Sequence, residues 1–312
     1  MLNLTPLHPF IAARVDGVVL SDTINADIRQ QIEGALRQHS VLIFPNQAIN
    51  DEQQIRFTES FGALEKTKLG TEGTGTPLDT LRNFDDNNQL VSANHRQNLN
   101  NRANQLWHTD SSFKTIPARA SVLSAREVPL CGGDTYFVNM RAVYRMLPNQ
   151  LKSRVSNRYA IHSYATSRDA IDPKLMTKAE REALPPVRQP MVLHHENDLG
   201  PSLYLGSHAC AVEGLSQIDG QQLIQELMDF ATQPQFVFRH EWTKYDLVMW
   251  DNRAVIHRAT PYAQGDERRH MVRTTIAGAL PRSDVLWFRK HQQLTILLSS
   301  EPDPLAAYSQ IA

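Results

Sequence analysis

The stretch MWDNRAVIHRATPYAQGDERRHMVRTTIAG, residues 249–278, contains an apolar run, then His257, then a loop, and finally the strand-like segment RRHMVRTTI. Because side chains alternate along a strand, Arg269 and Arg273 are expected on one face of that segment. If this face points into a barrel, anions must meet both arginines, since an uncompensated buried charge is costly. Alternation alone equally allows an outward-facing basic edge.

Other segments predict a mainly β protein with helices outside it. Short apolar or alternating runs at 41–44, 235–242 and 246–250 are typical of strands, and 191–206 is typical of a hairpin. Amphipathic patterns predict helices at 21–40, 50–62 and 220–233. Two early helices followed by many short strands favour an α+β fold, mainly β, in which helices flank a jelly-roll or sandwich core.

Residues 64–105 are rich in Gly, Thr, Asn and Asp and carry no clear periodicity. The glycines of LGTEGTGTP lack the Gly-Lys-Ser/Thr that a phosphate-binding loop needs. A loop of this length is commonly either disordered or a functional lid. We interpret it as a lid because the segment WHTDSSF, at 107–113, follows at once.

WHTDSSF places a histidine and an aspartate two residues apart, at His108 and Asp110. On a strand both side chains would share a face, and one nitrogen and one carboxylate would still leave a divalent metal short of ligands. A second histidine would complete the two-histidine, one-carboxylate face of non-haem Fe(II) oxygenases. The pair alone is also explained by ordinary strand polarity. HHEND, at 194–198, offers similar groups but is typical of a hairpin tip.

Composition excludes several classes of protein. The chain has 312 residues, 41% hydrophobic and 21% charged, with a formal net charge of −1. Such a charge gives no general reason to bind nucleic acid or an anionic membrane. The two cysteines, Cys131 and Cys210, are far apart, and no apolar stretch approaches the roughly 20 residues of a membrane span. A cytoplasmic protein without nucleic-acid or membrane partners is expected.

Three motifs occur in a fixed order: WHTDSSF at 107–113, GGDT at 132–135 and the stretch at 250–278. Together they resemble the taurine dioxygenase family of Fe(II)- and 2-oxoglutarate-dependent oxygenases, nearest the herbicide-degrading branch typified by dichlorophenoxyacetate dioxygenase. The likeness runs from about residue 1 to 280. It implies a double-stranded β-helix, or jelly roll, in a single domain over 1–312. It also implies Fe(II), with 2-oxoglutarate and O2 as co-substrates.

The resemblance also implies roles for individual residues. His108, Asp110 and His257 match the iron ligands, which are the catalytic residues of the family. Thr135 and Arg269 match the pair that binds the distal carboxylate of 2-oxoglutarate. Arg273 matches the arginine that meets the acidic group of the substrate, and Asn104 matches a position that lines the substrate pocket. Lys66 and Lys68 fall where the lid is expected to approach the substrate, and His208 is a further candidate for a substrate contact.

The implied reaction is oxidation of a small acid, an aryloxyalkanoate-type carboxylate, coupled to decarboxylation of 2-oxoglutarate to succinate. A taurine, alkylsulfonate or sulfate-ester dioxygenase is the alternative. From a different class, a zinc hydrolase or a non-catalytic metal-binding jelly roll would use the same three ligands.

The chain continues past the family pattern, with an extension at about 283–312. It is apolar enough to pack on the body or on another subunit, which leaves a homo-oligomer open.

Overall fold

The fold is mixed α/β, in a computed structural model that describes residues 2–195 and 199–279. The predicted C-terminal extension at about 283–312 lies outside the described residues. The described strands are β1 Asn3–Pro6, β2 Ala13–Asp16, β3 Val41–Phe44, β4 Asp79–Arg82, β5 Ala120–Glu127, β6 Thr135–Asn139, β7 Tyr159–His162, β8 Val187–Pro190, β9 Val192–Leu193, β10 Ser202–Leu203, β11 Ala209–Val212, β12 Val237–His240, β13 Leu247–Asp251, β14 Val255–Ala259 and β15 His270–Ile276. The described α-helices are α1 Ala26–His39, α2 Asp51–Glu59, α3 Arg96–Ala103, α4 Met140–Met146, α5 Asn149–Val155, α6 Tyr164–Asp169, α7 Lys178–Ala183 and α8 Gln217–Ala231.

A seven-stranded sheet in the order β1-β2-β3-β13-β5-β15-β4 is the largest layer among these elements. Two of its central strands, β3 and β13, are buried on both faces, and each begins with four consecutive apolar residues. In β3, Val41 and Ile43 point to one hydrophobic cluster, while Leu42 and Phe44 point to another. Because side chains alternate along a strand, four consecutive apolar residues contribute to two different cores, one on each face of the sheet.

Helices cover the outer face of this sheet, as the sequence predicted. Ile32 and Leu36 of α1 and Phe57 of α2 are buried in the same cluster as Leu42 and Phe44. The Asn25 side chain accepts a hydrogen bond from the backbone N–H of Ile28, which caps the start of α1. These helices hold the sheet from outside and leave its inner face for the site.

A three-stranded sheet, β12-β6-β14, packs on the inner face. Phe137 of β6 and Val255 of β14 share a buried cluster with Trp250 and Met271 of the large sheet. Two sheets packed face to face with helices outside agree with the predicted jelly-roll layers. Behind the small sheet, a further cluster joins α4, α5 and α8 to the hairpin β9–β10, which confirms the predicted hairpin around its undescribed tip.

The segment 64–105 is not one structureless loop, so that part of the sequence prediction is wrong. It contains β4, which pairs with β15, and helix α3. Local periodicity could not reveal β4, because a four-residue edge strand is fixed by its partner rather than by its own pattern. Whether the segment closes as a lid stays a prediction.

No helix within 2–195 and 199–279 is both long and apolar enough to cross a bilayer.

Candidate active site

Two histidines from distant parts of the chain are joined backbone to backbone. His257 lies in the middle of β14, not between a strand and a loop as the sequence suggested. His108 lies outside any regular strand, which corrects the strand expected there, and forms an isolated bridge with His257. The His108 N–H donates to the His257 carbonyl at 2.9 Å, and the reverse bond measures 2.7 Å. This pairing fixes both imidazoles on one side, with ring centroids 4.2 Å apart.

Asp110 completes a cluster whose ligand atoms all lie within 4.8 Å of one another. The Nε2 atoms of His108 and His257 each lie 3.9 Å from a different oxygen of the Asp110 carboxylate. All three side chains are buried. Two imidazoles and one carboxylate in this arrangement suit a non-haem iron face with open positions.

The imidazoles are held in a form that can donate a lone pair to a metal. Nδ1 of His108 lies 2.7 Å from the carbonyl of Leu106, so this nitrogen carries the proton and Nε2 is left as the ligand atom. Burial lowers the pKa of His108, although the charge of Asp110 opposes this. Burial, followed by the charge of His108, holds the pKa of His257 well below its usual range. Both rings are therefore neutral near pH 7, as metal binding requires.

The Asp110 carboxylate is held in its charged form. The Ser121 hydroxyl donates to Oδ2 at 2.7 Å, and the Arg273 guanidinium donates to Oδ1 at 2.5 Å. Burial would raise the pKa of Asp110, but the charge of Arg273, followed by those of the two histidines, lowers it overall. Asn252 ties the arrangement together, because its amide donates to Ser121 Oγ at 2.9 Å and its oxygen accepts from the Asp110 N–H at 3.4 Å.

Two cavities flank the three ligands. The first, here the Arg269 cavity, encloses about 560 Å³ including its open mouth and reaches His257. Its lining includes Thr135, Trp250, Tyr262 and Arg269. Arg269 is 8% exposed, donates from Nη2 to the Gly133 carbonyl at 3.2 Å, and has no ion pair within the described residues. A buried guanidinium without a counter-ion is a receptor for an anion.

Thr135 is oriented to donate into the Arg269 cavity. The indole N–H of Trp242 donates to Thr135 Oγ1 at 2.9 Å. Since an indole N–H can only donate, the hydroxyl accepts this bond and keeps its own proton for another acceptor. Thr135 and Arg269 together offer a hydroxyl donor and a guanidinium to a carboxylate.

The second, here the Arg168 cavity, encloses about 710 Å³ including its open mouth. Its lining includes His108, Phe113, Tyr164, Arg168 and His208. Asn104, His108 and Arg273 line both cavities, so the ligand cluster lies where the two spaces meet.

The structure brings together the residues that the sequence singled out. His108, Asp110 and His257 form the cluster, Thr135 and Arg269 line one cavity, and Asn104 and Arg273 lie between the two. His208, Lys66 and Lys68 line the Arg168 cavity. The residues that sequence reasoning missed include Arg168, Ser121, Trp242 and Asn252, each of which contacts these groups or lines a cavity. Asn252 lies inside the WDNR motif, whereas the others carry no local signal.

The comparison with known proteins agrees with this geometry. The model of the family described as taurine catabolism dioxygenase TauD, TfdA family, matches residues 3–275. The chain belongs to this family. It is 38% identical over 280 residues to an alpha-ketoglutarate-dependent 2,4-dichlorophenoxyacetate dioxygenase of Cupriavidus pinatubonensis, covering 88% of this chain and 98% of the relative. It is 34% identical over 283 residues to an (S)-phenoxypropionate/alpha-ketoglutarate-dioxygenase of Sphingobium herbicidovorans, covering 88% and 95%.

A solved structure is also similar to this chain. It is the protein AAD-2 in complex with Mn(II) and N-oxalylglycine, with a TM-score of 0.83 and 36% identity over 90% of this chain and 98% of that chain. As a member of the TauD, TfdA family, the protein is an Fe(II)- and 2-oxoglutarate-dependent dioxygenase, which confirms the predicted class of enzyme. Family membership sets aside the zinc hydrolase and the non-catalytic jelly roll.

Proposed function

We propose that this dioxygenase oxidises a small organic acid, an aryloxyalkanoate-type carboxylate, while 2-oxoglutarate is decarboxylated to succinate. The observation that supports this best is the pair of cavities that meet at one His-Asp-His cluster, each with a buried arginine that has no ion pair in the described residues. A co-substrate and a substrate that are both anions would fill such a pair of sites. The names of the relatives add the aryloxyalkanoate class to this chemistry.

The residues of the cluster fit iron by the nature and state of their donors. His108, Asp110 and His257 would hold Fe(II), because two neutral imidazoles and one ionised carboxylate are the set that non-haem oxygenases use. When bound, the iron supplies the activation of O2 for attack on a substrate carbon. Thr135 and Arg269 would bind the distal carboxylate of 2-oxoglutarate and so fix its orientation.

Asn104 and Arg273 are the proposed contacts to substrate from the side of the metal, because both line the two cavities. The segment 64–105 would close over the Arg168 cavity as a lid, since Lys66 and Lys68 lie on its wall. Closure would exclude water from the reacting carbon. For an aryloxyalkanoate, hydroxylation at the carbon next to the ether oxygen gives a hemiacetal or hemiketal that collapses to a phenol and a 2-oxo acid.

Succinate formation assayed against a panel of acids tests this function. We expect phenoxyacetate and 2-phenoxypropionate to support turnover better than taurine, alkylsulfonates or alkyl sulfates. The opposite order would replace the aryloxyalkanoate with the sulfonate or sulfate-ester alternative and leave the class of enzyme intact. Anaerobic buffer or omission of 2-oxoglutarate should stop turnover.

We also infer a cytoplasmic enzyme without nucleic-acid or membrane partners, based on near-neutral charge and the absence of a long apolar run. We also propose a homo-oligomer, in which the apolar residues of the extension at about 283–312 would pack on another subunit.

A further inference from the structure

The wall of the Arg168 cavity carries more positive than negative charge. Five cationic side chains and three carboxylates line it. The Arg273 guanidinium bonds both Asp79 and Asp110, at 2.6 and 2.5 Å, and Lys114 pairs with Glu65 at 2.6 Å. The three carboxylates are thereby all engaged. The remaining cations are Lys66, Lys68 and Arg168.

Arg168 is the buried member of that set. Its exposed fraction is 6%, and its Nε atom has no hydrogen-bond partner. Within the described residues its side chain hydrogen-bonds the Tyr164 side chain and, at a long 3.4 Å from Nη1, Ser167 Oγ, while no carboxylate lies within ion-pair distance. Another buried arginine, Arg141, differs because its guanidinium donates to the Arg37 carbonyl at 2.7 Å and to the Ser40 hydroxyl.

The position of Arg168 is fixed by its helix. Tyr164 and Arg168 lie four residues apart on α6 and therefore on the same side of it, with the guanidinium 4.2 Å from the ring centroid. The Lys68 ammonium lies 5.0 Å from the same ring. Phe113 and His208 complete an aromatic wall beside His108, with His208 and His108 centroids 6.2 Å apart. The cation is thus held near the metal ligands.

The electrostatics of neighbouring groups agree with an uncompensated positive charge. Burial would raise the pKa of the Tyr164 phenol, but the charges of Lys68 and Arg168 lower it overall. Burial lowers the pKa of His208, and the charge of Arg168 lowers it further. An anion bound in this cavity would balance the positive charge that the described protein groups leave uncompensated.

We propose that Arg168 is the residue that recognises the acid group of the substrate, with Lys68 as the accessory cation. This rests on the proposed function, which supplies an anionic substrate. It shifts the main counter-charge away from Arg273, whose own charge is already balanced by Asp79 and Asp110. Arg273 then holds Asp110 and contacts the substrate from the metal side. A purely structural Arg168, stacked on Tyr164, is the competing explanation.

The test compares an acid with its neutral amide. Arg168→Gln and Arg168→Lys are assayed with phenoxyacetate, phenoxyacetamide and 2-oxoglutarate, beside the unaltered enzyme. Arg168→Gln should raise the KM for phenoxyacetate by roughly 30-fold or more, because it removes a charge-assisted hydrogen bond, while the KM values for the amide and for 2-oxoglutarate stay within about twofold. Arg168→Lys should recover part of the loss.

Arg188→Gln is the matched control. Arg188 also stacks on a tyrosine, at 3.2 Å from the Tyr159 ring centroid, but it pairs with Glu213 and lines neither cavity. It should leave all three KM values unchanged. A structural Arg168 would instead weaken acid and amide alike in both of its variants, and this result would overturn the proposal.

Binding measurements separate this failure from failure of the proposed function. If the anaerobic enzyme shows the weak visible charge-transfer band with Fe(II) and 2-oxoglutarate but does not prefer the acid to the amide, the Arg168 proposal is wrong and the enzyme class stands. If alkyl sulfates are turned over instead of phenoxyacetate, the KM values of the Arg168 variants are compared for the alkyl sulfate and for the corresponding neutral alcohol. A rise for the sulfate alone supports the Arg168 proposal, and an equal rise for both rejects it. If no anion in the panel supports turnover, Arg168 recognition is rejected along with the aryloxyalkanoate substrate.

Discussion

The Arg269 cavity and the Arg168 cavity meet at one metal cluster but balance their charges differently. No carboxylate lines the Arg269 cavity in the described residues. Arg269 lies there beside a donating hydroxyl and apolar and amide groups, and Arg273 is shared with the other cavity. The Arg168 cavity mixes five cations with three carboxylates and has an aromatic wall. The first arrangement suits one ligand of fixed shape. The second suits an acid whose remaining part can vary, since flexible lysines adjust where a fixed guanidinium fork cannot.

The largest expected effect is on the cluster that both cavities share. His108→Ala removes one of three ligands, so turnover should fall by on the order of 10³, about 4 kcal/mol of transition-state stabilisation. The charge-transfer band of Fe(II) and 2-oxoglutarate should disappear in anaerobic titration. The exposed His194 provides the control, because His194→Ala should keep the band. A variant at 108 with a normal band would contradict the ligand assignment.

The Arg269→Gln variant tests whether the two cavities bind different ligands. Removing the buried guanidinium should raise the KM for 2-oxoglutarate by roughly 100-fold, about 3 kcal/mol, because a buried carboxylate loses its charged partner. The KM for phenoxyacetate should move little. Steady-state kinetics with each ligand varied in turn provides the measurement. An equal rise in both KM values would contradict the assignment of 2-oxoglutarate to the Arg269 cavity and of phenoxyacetate to the Arg168 cavity.

Sequence motifs predicted the parts of the site that depend on short, rigid spacings. His108 and Asp110 are two residues apart, and Arg269 and Arg273 belong to one segment, so local geometry suffices for each pair. The layers of the fold followed from apolar runs such as 41–44, in which alternate residues enter different cores. Placing His257 beside His108 required the resemblance, because their bridge joins residues 149 positions apart and no local pattern encodes it.

The sequence could not predict the role of charged residues when that role depends on whether the fold brings an ion-pair partner to them. Arg168 has the spacing of an ordinary helical surface residue, and its proposed role depends on the lack of a described carboxylate within ion-pair distance of its guanidinium. Asp79 lies in a strand that was interpreted as loop, so its bond to Arg273 could not be foreseen. The same bond is the reason that Arg273 is less suited to accept a second anion.

The pH dependence of stability tests the burial of His162. His162 is fully buried beside Ser112 Oγ at 3.0 Å, and burial lowers its pKa from 6.5 to about 3. The unfolded chain therefore binds more protons between these values, so this contribution to stability is present above pH 6.5 and is lost as the pH falls. The loss should reach about 2 kcal/mol at pH 5, at about 1.4 kcal/mol per pH unit.

His162→Gln should flatten this dependence, since glutamine keeps a polar side chain and does not titrate. Urea unfolding of the metal-free protein between pH 7 and pH 5 measures it, with His194→Gln as the control. An unchanged slope in His162→Gln would show that the ring is not held neutral by burial.

The smallest effect concerns the orientation of Thr135 in the Arg269 cavity. Trp242→Phe removes the donor to Oγ1, so the hydroxyl proton is no longer directed into the cavity, and the KM for 2-oxoglutarate should rise about fivefold, or about 1 kcal/mol. Thr135→Ser keeps the hydroxyl and should stay near the unaltered value. Equal effects on 2-oxoglutarate and phenoxyacetate would argue for a general loss of packing.

The separate occupation of the two cavities is tested most directly by an anaerobic titration of the Fe(II)-loaded enzyme with 2-oxoglutarate, at zero and at saturating phenoxyacetate. We predict one equivalent of each ligand bound together, with a Kd for 2-oxoglutarate that changes by less than about threefold. A Kd that rises in proportion to the phenoxyacetate concentration, as for two ligands competing for one site, would contradict the account.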